Sequence, residues 1–204
     1  MNLEILNSKE FIIFRTKDYS LNYKLSLSAA SQRLKRLEEK QLLTRITRSI
    51  WANTKHPYFT KLAIVPYILG VEQGYISFFT ALHIHGLISQ IPPSIQIAST
   101  GHARKLSSPV GNFEFIQIKP QLMQDGFELS DSKLSYPIAD LEKALLDCLY
   151  ISSKRNNRFS SFPELDFEET EFDDSKFMKL LELVKNPKIK NHILTRFYEL
   201  KGGL

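Results

Sequence analysis

The feature that most constrains this chain is residues 16–51, whose pattern predicts a helix, a turn, a second helix and a hairpin. "TKDYSLNYKL" begins at Thr16, a good N-cap residue, and Asp18 follows near the positive helix end. Ser26 or Ser28 is placed to cap the second helix. "LLTRITRSIWAN" alternates and is rich in β-branched residues, which predicts a hairpin. Together these elements predict a winged helix-turn-helix.

The second helix, predicted over 28–40, has two distinct faces at 100° per residue. Its apolar face comprises Leu27, Ala30, Leu34 and Leu37. Gln32 lies almost directly opposite, flanked by two small residues and two basic ones, Ser28, Ala29, Lys35 and Arg36, and Arg33 lies to the side. Glutamine bonds bidentately to adenine, arginine bonds to guanine, and lysine neutralises phosphates. We therefore expect this face to enter the major groove of DNA.

The hairpin adds two more basic residues, Arg45 and Arg48, while Ile46 and Ile50 are available to face the core. A two-stranded wing with an arginine near its tip can lie on a phosphate strand or enter the minor groove. Trp51 has two possible roles, packing against the helices or covering a sugar. These eight polar, basic or small residues of helix and hairpin are the predicted DNA-binding site.

The charge distribution supports a division into two domains. Residues 1–58 contain 11 Lys/Arg and 5 Asp/Glu, whereas residues 59–204 contain 16 and 17. The charge is thus +6 on the first part and −1 on the second, although chance surface charge is an alternative explanation. We expect a DNA-binding domain over 1–58 and a second domain over 59–204.

The second part mixes helices with short strands. Residues 56–74 have a helical pattern with a kink or break at Pro66, and "YISFFTALHIHGL" predicts a helix capped by Ser77 and ended by Gly86. Strands are predicted for "IPPSIQIAST", "NFEFIQI", "GFELS" and "KLSYPIA". The predicted fold class is α+β, with a winged helix followed by a mixed helix and small-sheet domain.

The last third of the chain is predicted to contain three helices and one acidic loop. Residues 140–152 form an amphipathic pattern, and helices are predicted near 175–184 and 188–200. The loop covers 153–174, and its part 163–174 has seven acids and no base.

Several motifs contain residue types that occur in catalytic or metal sites. "HIH" (83–85) places its side chains about 200° apart on a helix, so a structural role is favoured over a shared ion. "TGHARK" (100–105) is a solvated basic turn or a phosphate contact, and Cys148 is a small core residue. "DLEKALLD" contains residue types of metal-dependent nucleases, namely Asp140, Glu142, Lys143 and Asp147. Adjacent positions on a helix diverge by about 100°, which favours core packing over catalysis.

"FRTKDYSLNYKLSLSAASQRLKRLEEKQLLTRITRSIW" resembles the N-terminal winged helix of the AbiEi antitoxin family, the regulators of type IV toxin–antitoxin systems. "YISFFTALHIHGLISQIP" and "DLEKALLDCLY" resemble later parts of that family, so the resemblance covers about residues 11–150 in order. The chain departs from the family pattern in the hairpin, with Ser49 where glycine is frequent and Trp51 where tyrosine is frequent.

The resemblance implies a repressor that binds inverted repeats of double-stranded DNA in its own promoter, and an antitoxin that counters a nucleotidyltransferase-like toxin. It implies neither an enzyme nor a cofactor. The absence of a leader and of an 18-residue apolar run favours a cytoplasmic protein without a membrane span. Two alternatives remain at this point: a nuclease targeted by the winged helix, and a winged helix that binds only protein. Converging carboxylates would favour the first, whereas the second would require an apolar outer face of helix 28–40, which carries polar and basic residues instead.

Overall fold

A computed structural model describes residues 8–154 and 158–202, and in them the chain is a mixed α+β protein with seven α-helices and two sheets. The α+β class is therefore confirmed. Two compact units are present. The first contains the residues up to Gly70 together with Ser107–Asn112 and Asp131–Tyr136, and the second contains the remainder. None of the described helices is both long and apolar enough to cross a bilayer.

The first unit is built from two central helices and a small sheet. Its elements in chain order are a 3-10 helix Lys9–Phe11, β1 Ile13–Arg15, α1 Thr16–Asn22, α2 Leu27–Glu39, β2 Thr44–Arg45, β3 Ile50–Ala52, a 3-10 helix Lys61–Ile64 and α3 Val65–Leu69. The strand order is β1-β3-β2, and both pairings are antiparallel. The predicted hairpin is thus confirmed. Pro66 lies at the start of α3, directly after the 3-10 helix, so the predicted break at this proline is found, but the predicted helical pattern over 56–74 is too long because the two helices cover 61–69.

An aromatic and aliphatic core holds the first unit together. Its buried members are Phe11, Phe14, Tyr19, Ala30, Leu34, Leu37, Leu43 and Trp51. The rings of Phe11 and Phe14 meet edge to face with centroids 5.1 Å apart, an arrangement that the ring quadrupoles favour. Ile46 and Ile50 are also buried, as the hairpin pattern predicted, and Trp51 takes the packing role of its two possibilities.

Thr16 does not cap α1, contrary to the sequence-based expectation. Arg15 occupies the N-cap position, and its backbone N–H donates to the Asp18 carboxylate at 2.8 Å. The Thr16 hydroxyl instead accepts the buried indole N–H of Trp51 at 2.9 Å, and the Thr16 backbone N–H donates to the carbonyl of Ser49 at 2.9 Å. A buried indole requires such an acceptor, and this requirement outweighs capping here.

From Val71 onward the chain forms a six-stranded sheet with helices. The elements are β4 Gly74–Ile76, α4 Phe78–Ile84, β5 Ile95–Ser99, β6 Arg104–Ser108, β7 Gly111–Gln117, a 3-10 helix Pro120–Met123, β8 Phe127–Leu129, β9 Pro137–Ala139, α5 Leu141–Ser152, α6 Asp174–Leu181 and α7 Pro187–Leu200. The sheet order is β6-β7-β5-β4-β9-β8, with parallel pairs β5/β7 and β4/β9. The predicted strands and helices are found, except that residues 75–76 of the predicted helix belong to β4, and β4 and β6 were not predicted. Ser77 occupies the N-cap position of α4, but its hydroxyl donates to Asp147 and does not cap the helix.

The helix α5 is the centre of the second unit. It packs against α4, α6 and α7, and every residue from Leu141 to Ile151 is buried. The amphipathic pattern predicted one buried stripe only, so that prediction is wrong for the polar face. Asp140 caps α5 by accepting from the backbone N–H of Lys143 at 3.0 Å. Gly86 ends α4 at a φ of 84°, as predicted.

Candidate nucleic-acid interface

The helix α2 begins at a well-formed cap. Ser26 is extended, and its hydroxyl oxygen accepts from the backbone N–H of Ala29 at 3.2 Å, as one of the two predicted caps requires. Ala30, Leu34 and Leu37 are buried at spacings of four and three residues. The opposite side of α2 therefore faces solvent. Leu27 was placed on the buried face, but it is 58% exposed because it lies in the first turn, where the apolar stripe has not yet met the core.

The turn between α1 and α2, residues 23–26, is fixed by short-range hydrogen bonds. The backbone N–H of Leu25 donates to the carbonyl of Ser20 at 2.9 Å, and the Ser20 hydroxyl donates to the carbonyl of Leu25 at 2.7 Å. Lys24 adopts a left-handed φ of 51°, which lets the chain reverse in four residues. These backbone and side-chain bonds, together with the packing of α1 on α2, set the direction of α2 relative to α1.

The exposed face of α2 brings most of the predicted site residues together. Ser28, Gln32, Lys35 and Arg36 are exposed, while Ala29 and Arg33 are partly buried. An open concavity of about 490 Å³ is lined by Leu25, Ala29, Gln32, Arg33 and Arg36. Leu25 is the member of this surface that the sequence did not suggest, because it lies in the turn and outside the helical wheel.

Four predicted side chains make no hydrogen bond or ion pair within residues 8–154 and 158–202, namely Gln32, Lys35, Arg36 and Arg48. Glu38 and Glu39 follow on the same helix but form no ion pair with these bases in that part of the chain. The surface thus offers amide and cationic donors that are free to bind a negatively charged ligand.

Arg33 is held differently from its neighbours. Its guanidinium carbon lies 5.4 Å from the centroid of the Tyr23 ring, a distance typical of a cation–π contact. Burial raises the pKa of the nearby Tyr19 hydroxyl, and the positive charge of Arg33 opposes that rise. Arg33 therefore lies at the margin between the core and the exposed face.

The two arginines of the hairpin differ in position: Arg48 lies at the tip, and Arg45 acts as a brace, that is, it holds the turn through hydrogen bonds to its carbonyls. Arg45 donates from Nε to the carbonyl of Thr47 at 3.2 Å and from Nη2 to the carbonyl of Arg48 at 3.1 Å. Its guanidinium carbon also lies 5.4 Å from the Trp51 ring centroid. Arg48 is exposed in the turn that these contacts hold. The two arginines that the sequence treated alike thus have different surroundings.

The second unit contains a buried charged cluster within the "DLEKALLD" segment. Lys143 and Asp147 form an ion pair with both side chains fully buried. Asp147 also accepts from the hydroxyls of Tyr75 at 3.0 Å and Ser77 at 2.8 Å. Burial, and then the charge of Asp147, raise the pKa of the Tyr75 hydroxyl well above its usual value. All four side chains have zero exposure, so the cluster contacts protein and not solvent. Cys148 beside it is also buried.

The other two acids of this segment are engaged separately. Asp140 caps α5 and pairs with Lys176 at 2.8 Å. Glu142 accepts from the backbone N–H of Asp173 at 2.9 Å and lies 3.2 Å from the Lys176 ammonium. In residues 8–154 and 158–202, no three His, Cys, Asp or Glu side chains form a group suited to a metal ion.

The remaining candidate motifs contact neighbouring protein groups. His83 Nδ1 lies 3.2 Å from the carbonyl of Ile88, and His85 Nε2 lies 2.7 Å from the carbonyl of Ala139. The two imidazoles thus contact different parts of the chain, as their helical spacing predicted.

In the basic segment 100–105, Arg104 pairs with Glu72 at 2.8 Å and lies 3.7 Å from the Phe115 ring centroid. This arginine belongs to β6 and its contacts bind it to the second unit, whereas the sequence suggested a loop.

Among known proteins, no family model matches the chain, and no curated protein matches it significantly.

Proposed function

We propose that this chain is a DNA-binding transcriptional regulator that acts through the exposed face of α2. The observation that carries the proposal is a set of donors on that face and at the hairpin tip that have no partner within residues 8–154 and 158–202, namely Gln32, Lys35, Arg36 and Arg48. Unpaired cations gather phosphates, and an unpaired glutamine or arginine is available for base edges.

The order of elements supports a winged helix-turn-helix in the first unit. A strand, two helices joined by four residues, and an antiparallel hairpin follow one another, and turns of three to four residues are typical of helix-turn-helix motifs. In this interpretation α2 is the recognition helix and β2–β3 the wing. The excess of +6 over residues 1–58 provides the attraction toward DNA.

The local contacts suggest different roles within the proposed site. Gln32 and Arg36 are assigned to base edges, and Lys35 and Arg48 to phosphates. Ser28 and Ala29 are small, so they allow the start of α2 to approach the base pairs. Arg33 and Arg45 already contact Tyr23 and the hairpin turn, and we assign them to positioning.

The test is a titration of the full chain with fluorescent duplexes, one from the region upstream of its own coding sequence and one of scrambled sequence. Gln32→Ala and Arg36→Ala should each cost about 1–3 kcal/mol on the first duplex only. Lys35→Ala and Arg48→Ala should weaken both duplexes about equally. Lys179→Ala is the matched control, because Lys179 is exposed in the second unit and should leave both affinities unchanged. Equal losses from all four site variants on both duplexes would contradict these assignments.

Salt provides a separate measurement. Each phosphate that a lysine or arginine neutralises releases counterions, so the logarithm of the binding constant should fall steeply with the logarithm of salt concentration. Arg48→Ala should reduce that slope by about 1 if Arg48 contacts one phosphate. A binding constant that hardly changes between low and physiological salt would refute the electrostatic part of the proposal.

The resemblance to the AbiEi antitoxins extends the proposal to repression of its own promoter and to protection from a nucleotidyltransferase-like toxin. Support here comes from the ordered sequence motifs alone. The measurement is growth of cells that express a toxin encoded beside this chain, with the full chain or its Gln32→Ala, Arg36→Ala and Arg48→Ala variants. Rescue by variants that no longer bind DNA would separate protection from repression, and absence of rescue by the unmodified chain would refute the antitoxin role.

A further inference from the structure

We propose that a cavity in the second unit binds a small organic anion with an apolar body. The cavity has a volume of about 430 Å³, within the range of small-molecule pockets. It lies where the 3-10 helix Pro120–Met123 and α5 meet the connection between α6 and α7. The residues that line it include Lys119, Leu122, Tyr150, Val184, Lys185 and Ile189.

The floor of the cavity is apolar. Leu122, Tyr150 and Val184 are buried, and Ile189 is half-buried at the edge. Such a surface favours a ligand part that leaves water on binding, because apolar area removed from water is stabilised in proportion to its size. An inorganic ion alone would leave this floor uncovered.

The rim of the cavity is positive. Lys119 and Lys185 are exposed, and neither forms an ion pair within residues 8–154 and 158–202. Lys154 is not part of the lining, but its ammonium lies 5.1 Å from the ring centroid of Tyr150, which is part of it. Burial lowers the pKa of Lys154, and the positive charge of Lys119 lowers it further. An anion at this rim would relieve the repulsion between the ammonium groups.

Neither Glu182 nor the N-terminal end of α7, which lie close to the rim, cancels its positive charge. Glu182 is the acid next to the rim, and it pairs with Lys190 at 2.5 Å. The first turn of α7 lines the cavity, and Asn186 already accepts from the backbone N–H groups of Lys188 and Ile189. The positive end of this helix therefore adds a favourable field for an anion without a free backbone donor. The site does not depend on the proposed DNA-binding function.

The experiment uses the full chain and anilinonaphthalene sulfonate, an anionic aromatic dye whose fluorescence rises in apolar sites. We expect saturable binding of one dye per chain. Phenyl phosphate should displace the dye at concentrations at least about tenfold below those of phenol or inorganic phosphate. Of the three, only phenyl phosphate has both an apolar ring for the floor and a negative charge for the lysines of the rim. The Lys119→Gln/Lys185→Gln variant should weaken dye binding by about tenfold or more.

The matched control is Lys179→Gln/Lys188→Gln, which removes the same charge from α6 and α7 outside the lining and should bind normally. Ile189→Trp fills the cavity without changing charge and should also weaken binding, while circular dichroism verifies folding. The proposal is overturned by any of three results. These are non-saturable binding, equal losses in the two double variants, or displacement by phenol as effective as displacement by phenyl phosphate.

Discussion

Replacing Thr16 by valine tests the contact that joins the start of α1 to the hairpin. Valine keeps the shape of threonine but has no acceptor, so the indole N–H of Trp51 would lose its partner. Trp51 is 2% and Thr16 is 7% exposed, so water does not replace the lost bond. A buried unsatisfied donor costs about 1–3 kcal/mol, and we expect the unfolding free energy of the first unit to fall by that amount.

The assay is urea denaturation followed by fluorescence, because Trp51 is the only tryptophan in the sequence and reports on the first unit. Thr47→Val is the matched control, since the Thr47 hydroxyl accepts only a 3.4 Å bond in the exposed turn. It should cost less than about 0.5 kcal/mol.

A double-mutant cycle decides whether the indole bond is the cause. In a Trp51→Phe background, followed by circular dichroism, Thr16→Val should cost clearly less than it does in the unmodified chain. The reasoning is refuted if Thr16→Val costs the same in both backgrounds, or if it matches the Thr47→Val control.

Three further predictions concern the second unit, with urea denaturation followed by circular dichroism as the measurement. Lys143→Met should cost about 3–5 kcal/mol because it leaves the buried Asp147 carboxylate without its cation, and a loss below 1 kcal/mol would contradict this. Gly126→Ala should cost about 2–4 kcal/mol, because φ is 85° there and an added Cβ would lie 2.8 Å from Lys143 Cβ; an unchanged midpoint would contradict it. Burial raises the pKa of Glu72, but the hydrogen bonds from Arg104 and Ser99 lower it by more. The pKa of Glu72 therefore lies below its usual value of 4.5. Its stabilisation is thus present above pH 4.5 and is lost as the pH falls through the lower folded value, and Glu72→Gln should flatten this acid dependence.

The helix α2 was the most predictable part of the chain because its sequence signals are local. The Ser26 cap and the spacing of Ala30, Leu34 and Leu37 depend on neighbours within one or two turns, and the structure has them as predicted. The helical wheel wrongly placed Leu27 on the buried face, because a residue in the first turn can extend beyond the core. The prediction that Thr16 caps α1 failed because its hydrogen-bond partner, Trp51, is 35 residues away, and capping preferences consider only nearby residues.

The second unit was less predictable because its environment is set by distant segments. Charged residues on α5 indicated a solvated face, yet packing against α4, α6 and α7 buries the whole helix, and Lys143 pairs in the interior with Asp147 one turn further along α5. β4 has only three residues, and its pairing with β5 and β9 involves segments far along the chain.

In the hairpin of the first unit, the sequence could not distinguish Arg45 from Arg48, since identical side chains differ here only in what surrounds them.

The brace made by Arg45 has an entropic consequence. Its guanidinium holds two carbonyls of the hairpin turn and lies on Trp51, so the backbone of the tip is ordered before any ligand arrives. Ordering a side chain or loop on binding typically costs about 0.5–1.5 kcal/mol for each immobilised group. A ligand at the tip therefore meets a preorganised backbone, and the remaining ordering cost falls on exposed side chains such as Arg48.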